Sequence, residues 1–188
     1  YIDKVHTPTH PPAGDVKRKT ESLYGKNFWS NAHKTVTIRN PFDNAVSIFL
    51  HKKIVVHPNE QIPVKKLKEL KVKFKEEVKI VFDKVQKTPK RSYNSRWADW
   101  QWSLYTKHNK PVVDDFIFYE TPRDSFNKIL KKFNIQDPEV DHLIDNFVKT
   151  YNMTRSKYDY REFYDNDTRD KIYQLRKREI DFFKYKFR

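Results

Sequence analysis

There is no cysteine in this chain, which removes disulfide bridges, thiolate nucleophiles and cysteine-ligated zinc as ways to build it or run it. The same absence favours the cytosol without excluding an oxidising compartment. Glycine is almost as scarce: Gly14 and Gly25 are the two present, so a glycine-rich phosphate loop cannot be assembled from these residues. No apolar run approaches the length of a membrane-spanning helix, and no charged-then-apolar leader opens the chain. The first residue is Tyr1 rather than methionine, and a targeting signal or anchor upstream of it would change the address to the Golgi or a membrane.

What is present suits one folded domain. A length of 188 residues allows a sizeable core, and a second independent unit would be a squeeze. Hydrophobic residues make up 37% and aromatics 15%, so the core is expected to rest on Phe, Tyr and Trp, and folding is expected despite the charge. Lysine and arginine outnumber acids 39 to 25, a net charge of +14. That balance draws the protein towards polyanions, phosphorylated cofactors or an anionic membrane face, without choosing among them. Asn152-Met153-Thr154 and Asn166-Asp167-Thr168 fit the glycosylation sequon, a triplet short enough to arise by chance.

Periodicity lays out the elements. Tyr1 to His6 suits a short strand, and the prolines and glycine of Thr7 to Gly14 predict a loop. Lys34 to Arg39 is rich in β-branched residues and runs directly into Asn40-Pro41, a helix start with Asn as N-cap and Pro at the first helical position. Ala45, Val46, Phe49 and Leu50 form that helix's apolar stripe, and Asp43 in its first turn suits the macrodipole. From Val64 to Val85, within a lysine-rich segment at about 63–86, Leu67, Leu70, Phe74, Val78, Val81 and Val85 recur at helical spacing. Trp97, Trp100 and Leu104 suggest a further helix, and Asp115 to Tyr119 a second strand. A helix from Pro122 turns Phe126, Ile129, Leu130 and Phe133 inward. Asp137-Pro138 opens a short helix through Leu143, Ile144 and Phe147, and the tail from Asp167 to Phe183 reads as helical, with Ile172, Leu175, Ile180 and Phe183 apolar. Strands separated by helices imply a parallel α/β sheet covered by helices. There is no internal repeat.

Ligands of open parallel sheets gather at the carboxyl ends of the strands. Three segments deliver polar groups there: Lys4 with His6, Arg39 to Ser47, and Tyr119-Glu120. Arg39 would end a strand, and Ser47 would lie about two turns into the next helix, facing it. A guanidinium fork and a hydroxyl near a helix N-terminus make a pocket for a phosphate dianion. In the plainer alternative Arg39 pairs with Asp43 while Ser47 merely packs, and the short pattern by itself leaves both open. Trp97 and Trp100 share one helix face and read as core rather than as an acceptor platform. Lys65, Lys66, Lys68, Lys71, Lys73 and Lys75 read as a solvated face, with a surface for an anionic polysaccharide as the sharper alternative.

The run Phe28-Trp29-Ser30-Asn31-Ala32-His33-Lys34-Thr35-Val36-Thr37-Ile38-Arg39-Asn40-Pro41-Phe42-Asp43-Asn44-Ala45-Val46-Ser47 resembles a segment of the sulfotransferases that use 3′-phosphoadenosine 5′-phosphosulfate. The family runs strand, Arg, Asn or Asp, Pro, then Ser at this spacing, and the resemblance implies that Arg39 and Ser47 bind the 3′-phosphate. Lys4-Val5-His6-Thr7-Pro8 is similar to the family's Lys-Thr-His-Leu-Pro, which implies His6 as general base and Lys4 as the cation at the transferring sulfonate. His10 is a rival base. Phe118-Tyr119-Glu120 is similar to a Tyr-Glu-Asp that closes a later strand, implying that Tyr119 lies near the adenine. Asp159-Tyr160-Arg161 with Tyr164 resembles a motif just after the family's basic loop, and Glu179 to Tyr185 resembles its final helix. The Arg-Lys-Gly of that loop is not reproduced; Arg155 and Lys157 are the nearest candidates for its role.

The resemblance thus implies a three-layer α/β domain of the P-loop nucleotide-kinase-like type, with residues 1–188 a single domain forming its C-terminal portion. The strand and loop that hold the 5′-phosphosulfate are expected ahead of Tyr1. The implied reaction moves a sulfonate from 3′-phosphoadenosine 5′-phosphosulfate to an acceptor hydroxyl and requires no metal. The acceptor is expected to be a carbohydrate or another large molecule, and no specific nucleic acid is expected. Two other classes stay open at this point. A nucleotide-kinase-like phosphotransferase needs a glycine-rich loop and Mg²⁺ ligands, and a non-catalytic polyanion- or nucleic-acid-binding module would account for the charge without chemistry.

Overall fold

The computed structural model describes residues 13–53, 63–87, 100–155 and 158–187. Two short strands, β1 (Thr35–Ile38) and β4 (Asp115–Phe118), pair in parallel with Thr35 opposite Asp115 and Ile38 opposite Phe118. A parallel pair needs a long crossover. The connection contains α3 (Pro41–Lys53), α4 (Val64–Lys87) and α5 (Trp100–Tyr105), then the two-residue strands β2 (Thr106–Lys107) and β3 (Lys110–Pro111), which form a separate antiparallel pair. Ahead of β1 lie α1 (Ala13–Tyr24) and α2 (Lys26–Asn31). After β4 come α6 (Pro122–Lys132), α7 (Pro138–Arg155), a 3₁₀ turn at Tyr160–Phe163, α8 (Asn166–Leu175) and α9 (Lys177–Phe183).

The molecule is therefore α/β with a parallel pair, as the alternation of patterns requires, but it is mostly helical. Of the three-layer parallel sheet that was expected, the described residues show one parallel pair of strands. The first expected strand, Tyr1 to His6, lies outside them, as does Trp97.

The start of α3 follows its sequence signals. Asn40 Oδ1 accepts a hydrogen bond from the Phe42 N–H at 3.0 Å, the side-chain cap that an Asn before a helix supplies. Buried Ala45, Val46, Phe49 and Leu50 then face Phe74 and Val78 of α4, with the Phe49 and Phe74 rings edge-on at 5.5 Å. Phe163, Ile172, Leu175 and Ile180 complete this cluster. Ile38, Trp102 and Tyr105 form a second cluster with Phe116 and Phe183 packed against it. Lys71 and Lys75 of α4 pair with Glu162 of the 3₁₀ turn and Asp165 at the start of α8, and Lys73 pairs with Glu69 within α4, whereas Lys65, Lys66 and Lys68 are exposed.

Four local expectations are corrected. Gly14 sits inside α1 rather than in a loop, and α1 and α2 were not anticipated because Ala13 to Asn31 carries no regular apolar stripe. Gly25 separates them at φ 90°, a conformation that favours glycine. The tail is two helices that break at Arg176, a break hidden by apolar spacing that runs across it. α7 continues to Arg155 and keeps Ile144 buried while Leu143 is 60% exposed, and Phe133, at the end of α6, is also exposed.

The break at Arg176 has a buried cause. Its guanidinium turns inward to Glu179, with Nε donating at 2.9 Å and a second, shorter contact from Nη2. The Tyr105 hydroxyl donates to Glu179 Oε1 at 3.1 Å, and Arg176 Nη1 reaches Asn44 Oδ1 at 3.4 Å. Arg176 and Glu179 are essentially without solvent exposure. Burial, reinforced by the Glu179 carboxylate, pushes the Tyr105 phenol far above its ordinary range. This network ties α5, α3 and the two tail helices together behind the sheet's carboxyl end.

Candidate functional site

Register alone brings the first two site residues together. Ile38 stands opposite Phe118, so Arg39 and Tyr119 leave a parallel pair side by side at its carboxyl end. The Tyr119 N–H donates to the Ile38 carbonyl at 2.8 Å. The Arg39 guanidinium carbon lies 4.4 Å from the centre of the Tyr119 ring, a cation–π contact.

Helix α3 supplies the rest. Asp43, one turn in, accepts from Arg39 Nε at 2.7 Å and from Nη2 at 2.9 Å, and Ser47, two turns in, accepts from Nη1 at 2.9 Å. One geometry thus contains both arrangements that the spacing left open, the Asp43 pair and the Ser47 contact. Arg39 and Asp43 side chains are 16% and 10% exposed. Burial works against the guanidinium's charge, but the hydrogen-bonded Asp43 carboxylate more than offsets it and holds the Arg39 pKa above its usual value. Arg39 is cationic at every working pH. A guanidinium has five N–H bonds, so these three contacts leave one on each Nη nitrogen for an incoming anion, alongside the Ser47 O–H.

The turn that carries Arg39 is clamped from three sides. Glu120 Oε1 accepts from the Asn40 N–H at 2.6 Å, Glu120 Oε2 accepts from the Tyr185 hydroxyl at 3.1 Å, and the Tyr164 hydroxyl donates to the Phe42 carbonyl at 2.8 Å. Burial raises the phenols of Tyr164 and Tyr185, with Glu120 adding to the effect at Tyr185. Both therefore act as O–H donors. The Glu of the Tyr-Glu pair, the Tyr after the Asp-Tyr-Arg triplet and the tail aromatic thus act on one turn from three distant segments. Beside this turn opens a cavity of about 560 Å³, with Asn40, Asp43, Glu120, Tyr158 and Arg161 in its wall.

The structure brings Arg39, Ser47 and Tyr119 together. Arg155 is the last residue of α7; its side chain lies outside the described residues, as do Lys157, Lys4, His6 and His10 entirely. Tyr158 and the Asp43 carboxylate belong to the site without having been assigned a ligand role from sequence. Asp43 was visible as a helix-start acid, whereas nothing in the local pattern marks Tyr158.

A strand-end arginine bound to a helix hydroxyl and beside an aromatic ring has the chemistry to hold an anion. A model described as the sulfotransferase family matches residues 2–186, and the chain belongs to that family of transferases dependent on 3′-phosphoadenosine 5′-phosphosulfate. No curated protein and no solved structure matches the chain. No helix among the described residues is long and apolar enough to cross a membrane.

Proposed function

We propose that this protein moves the sulfonate of 3′-phosphoadenosine 5′-phosphosulfate to a hydroxyl on a carbohydrate or another macromolecule, with Arg39 and Ser47 holding the donor's 3′-phosphate. The observation that carries this reading is the Arg39 guanidinium, held by Asp43 and Ser47 at the carboxyl end of β1 and beside Tyr119. That arrangement fits a phosphate dianion. A fixed planar fork offers two remaining N–H bonds, a hydroxyl adds a third donor, and the N-terminal turns of α3 contribute a favourable dipole. Tyr119 offers an aromatic face in the same place for the base of the nucleotide.

In the transfer, the acceptor oxygen attacks sulfur in line and forms a new S–O bond while the bond from sulfur to the 5′-phosphate oxygen breaks. The electron pair leaves with 3′-phosphoadenosine 5′-phosphate, and the acceptor's proton passes to a base. Catalysis of this kind rests on positioning and on stabilising the charge that builds on the departing oxygen. The family resemblance assigns the base to His6 and the stabilising cation to Lys4, and Arg155 and Lys157 to the basic flank of the 3′-phosphate. An imidazole titrating near neutrality suits the proton transfer. A large anionic or neutral acceptor is consistent with the net charge of +14 and with exposed Lys65, Lys66 and Lys68 at the start of α4.

The test compares binding of 3′-phosphoadenosine 5′-phosphate and of AMP, which lacks the 3′-phosphate, by calorimetry. The wild-type protein is expected to prefer the former by at least tenfold, and Arg39→Ala to abolish that preference. Equal affinities in the wild type, or an unchanged preference in Arg39→Ala, would overturn the assignment of this site. Sulfonate transfer from labelled donor, with His6→Ala set against His10→Ala, then locates the base.

A further inference from the structure

The chain returns to the Arg39 turn at Tyr158, shortly after α7 ends, and no role has been given to that residue. Its ring packs edge-on against Phe163 at 5.8 Å and joins the aromatic cluster between α3, α4 and α8. The same residue lines the cavity together with Asn40 and Asp43. No hydrogen bond to a described residue engages its hydroxyl. The ring is thus anchored by packing, and the residue lines the cavity beside Asp43, close enough to Arg39 and Asp43 to feel both charges.

Charge balance says what kind of group is needed there. Asp43 takes two of the five N–H bonds of Arg39 and cancels part of its charge. A dianion arriving at this turn therefore meets a carboxylate as well as a cation. An additional lysine would be drawn to Asp43. A neutral O–H can donate to the anion without joining that ion pair. Burial keeps the Tyr158 phenol above its ordinary value, with Arg39 acting against this and Asp43 with it, so the group remains a protonated donor at neutral pH.

We propose that the Tyr158 hydroxyl is a further hydrogen-bond donor to the 3′-phosphate of the nucleotide, acting with Arg39 and Ser47 where the cavity meets the Arg39 turn. This rests on the reading of the Arg39 turn as the 3′-phosphate site. Tyr158 then serves specificity: it favours nucleotides that carry a 3′-phosphate over those with a 3′-hydroxyl, and does so without adding charge.

The experiment is calorimetric binding of 3′-phosphoadenosine 5′-phosphate and of AMP to the whole protein and to its Tyr158→Phe and Arg39→Ala variants, with thermal melting alongside. Phenylalanine keeps the ring against Phe163 and removes one oxygen, so the melting temperature should stay within a degree or two. The expected result is about a tenfold loss of affinity for the 3′-phosphorylated nucleotide in Tyr158→Phe with AMP unchanged, the size of a hydrogen bond to a charged group. Unchanged affinity for the 3′-phosphorylated nucleotide, or an equal loss for both nucleotides, would overturn the proposal. Arg39→Ala separates the two levels. If it weakens 3′-phosphate binding while Tyr158→Phe does not, the role of Tyr158 alone is wrong; if neither variant does, the site itself is misread.

Discussion

Arg39 meets both oxygens of one carboxylate and a hydroxyl within two turns of helix, and each contact constrains what can replace it. Lysine preserves the charge but presents a single compact ammonium on a flexible stem, which cannot hold Asp43 and Ser47 and still face a phosphate. Arg39→Lys is therefore expected to bind 3′-phosphoadenosine 5′-phosphate no better than Arg39→Ala by calorimetry. Asp43→Asn tests the other partner. The amide turns one acceptor into a donor against a guanidinium that is itself all donor, and leaves a mostly buried cation without its counter-charge. A stability loss of about 1–3 kcal/mol is expected in urea unfolding. At this scale the sequence was informative where chemistry follows backbone spacing. Arg39 and Ser47 are eight positions apart on strand, turn and helix, so their meeting was legible. That Arg39 and Tyr119 lie at the same end of a parallel sheet was legible, whereas their direct contact was not, because no local pattern says which strands are neighbours. Tyr158 was not legible, because its approach depends on how α7 and the 3₁₀ turn pack, and neither sets a local period.

Helices and strands show where patterns work and where they stop. α4 was readable over its whole length because an apolar residue recurs every three or four positions and buries against α3. α1 and α2 were not, since their exposed faces carry Leu23, Tyr24 and Phe28 without a repeating stripe. The tail is the most instructive element. Its apolar spacing is continuous across Arg176, yet the backbone breaks there so that an Arg–Glu pair can be buried with Tyr105 and Asn44. Hydrophobic periodicity is blind to that, because a charged residue reads as solvent-facing by default. The pair's worth lies in its completeness. Glu179→Ala leaves Arg176 charged and buried and is expected to cost roughly 3–5 kcal/mol, whereas the double variant Arg176→Met with Glu179→Leu should recover a large part of it. Urea unfolding of the single and double variants measures the difference. A double variant as unstable as Glu179→Ala would mean that Tyr105 and Asn44, not the ion pair, hold the tail in place.

Across the whole molecule the basic excess is tempered by acids placed where they matter to the fold. Asp114 is held down by Lys34, Asp115 by Lys132, Asp159 by Arg161, and Asp165 by the Thr168 hydroxyl and N–H at the start of α8. Their folded pKa values all lie below the unfolded carboxylate value of about 4. A group with a depressed folded pKa stabilises the protein above its unfolded pKa, and that contribution is lost as pH falls through the folded value. These side chains are a third to a half exposed, so solvent screening keeps each contribution small, but all act in one direction. With a net charge of +14 at neutrality, every proton taken up in acid also adds to self-repulsion. The melting temperature is therefore expected to be nearly flat between about pH 7 and pH 5 and to fall steeply below about pH 4. Moderate salt should raise the acid limb by screening the repulsion, more than it lowers the neutral plateau by weakening exposed pairs. A melting curve that held its plateau well below pH 4 would show that these acids are not more acidic in the fold than in the unfolded chain.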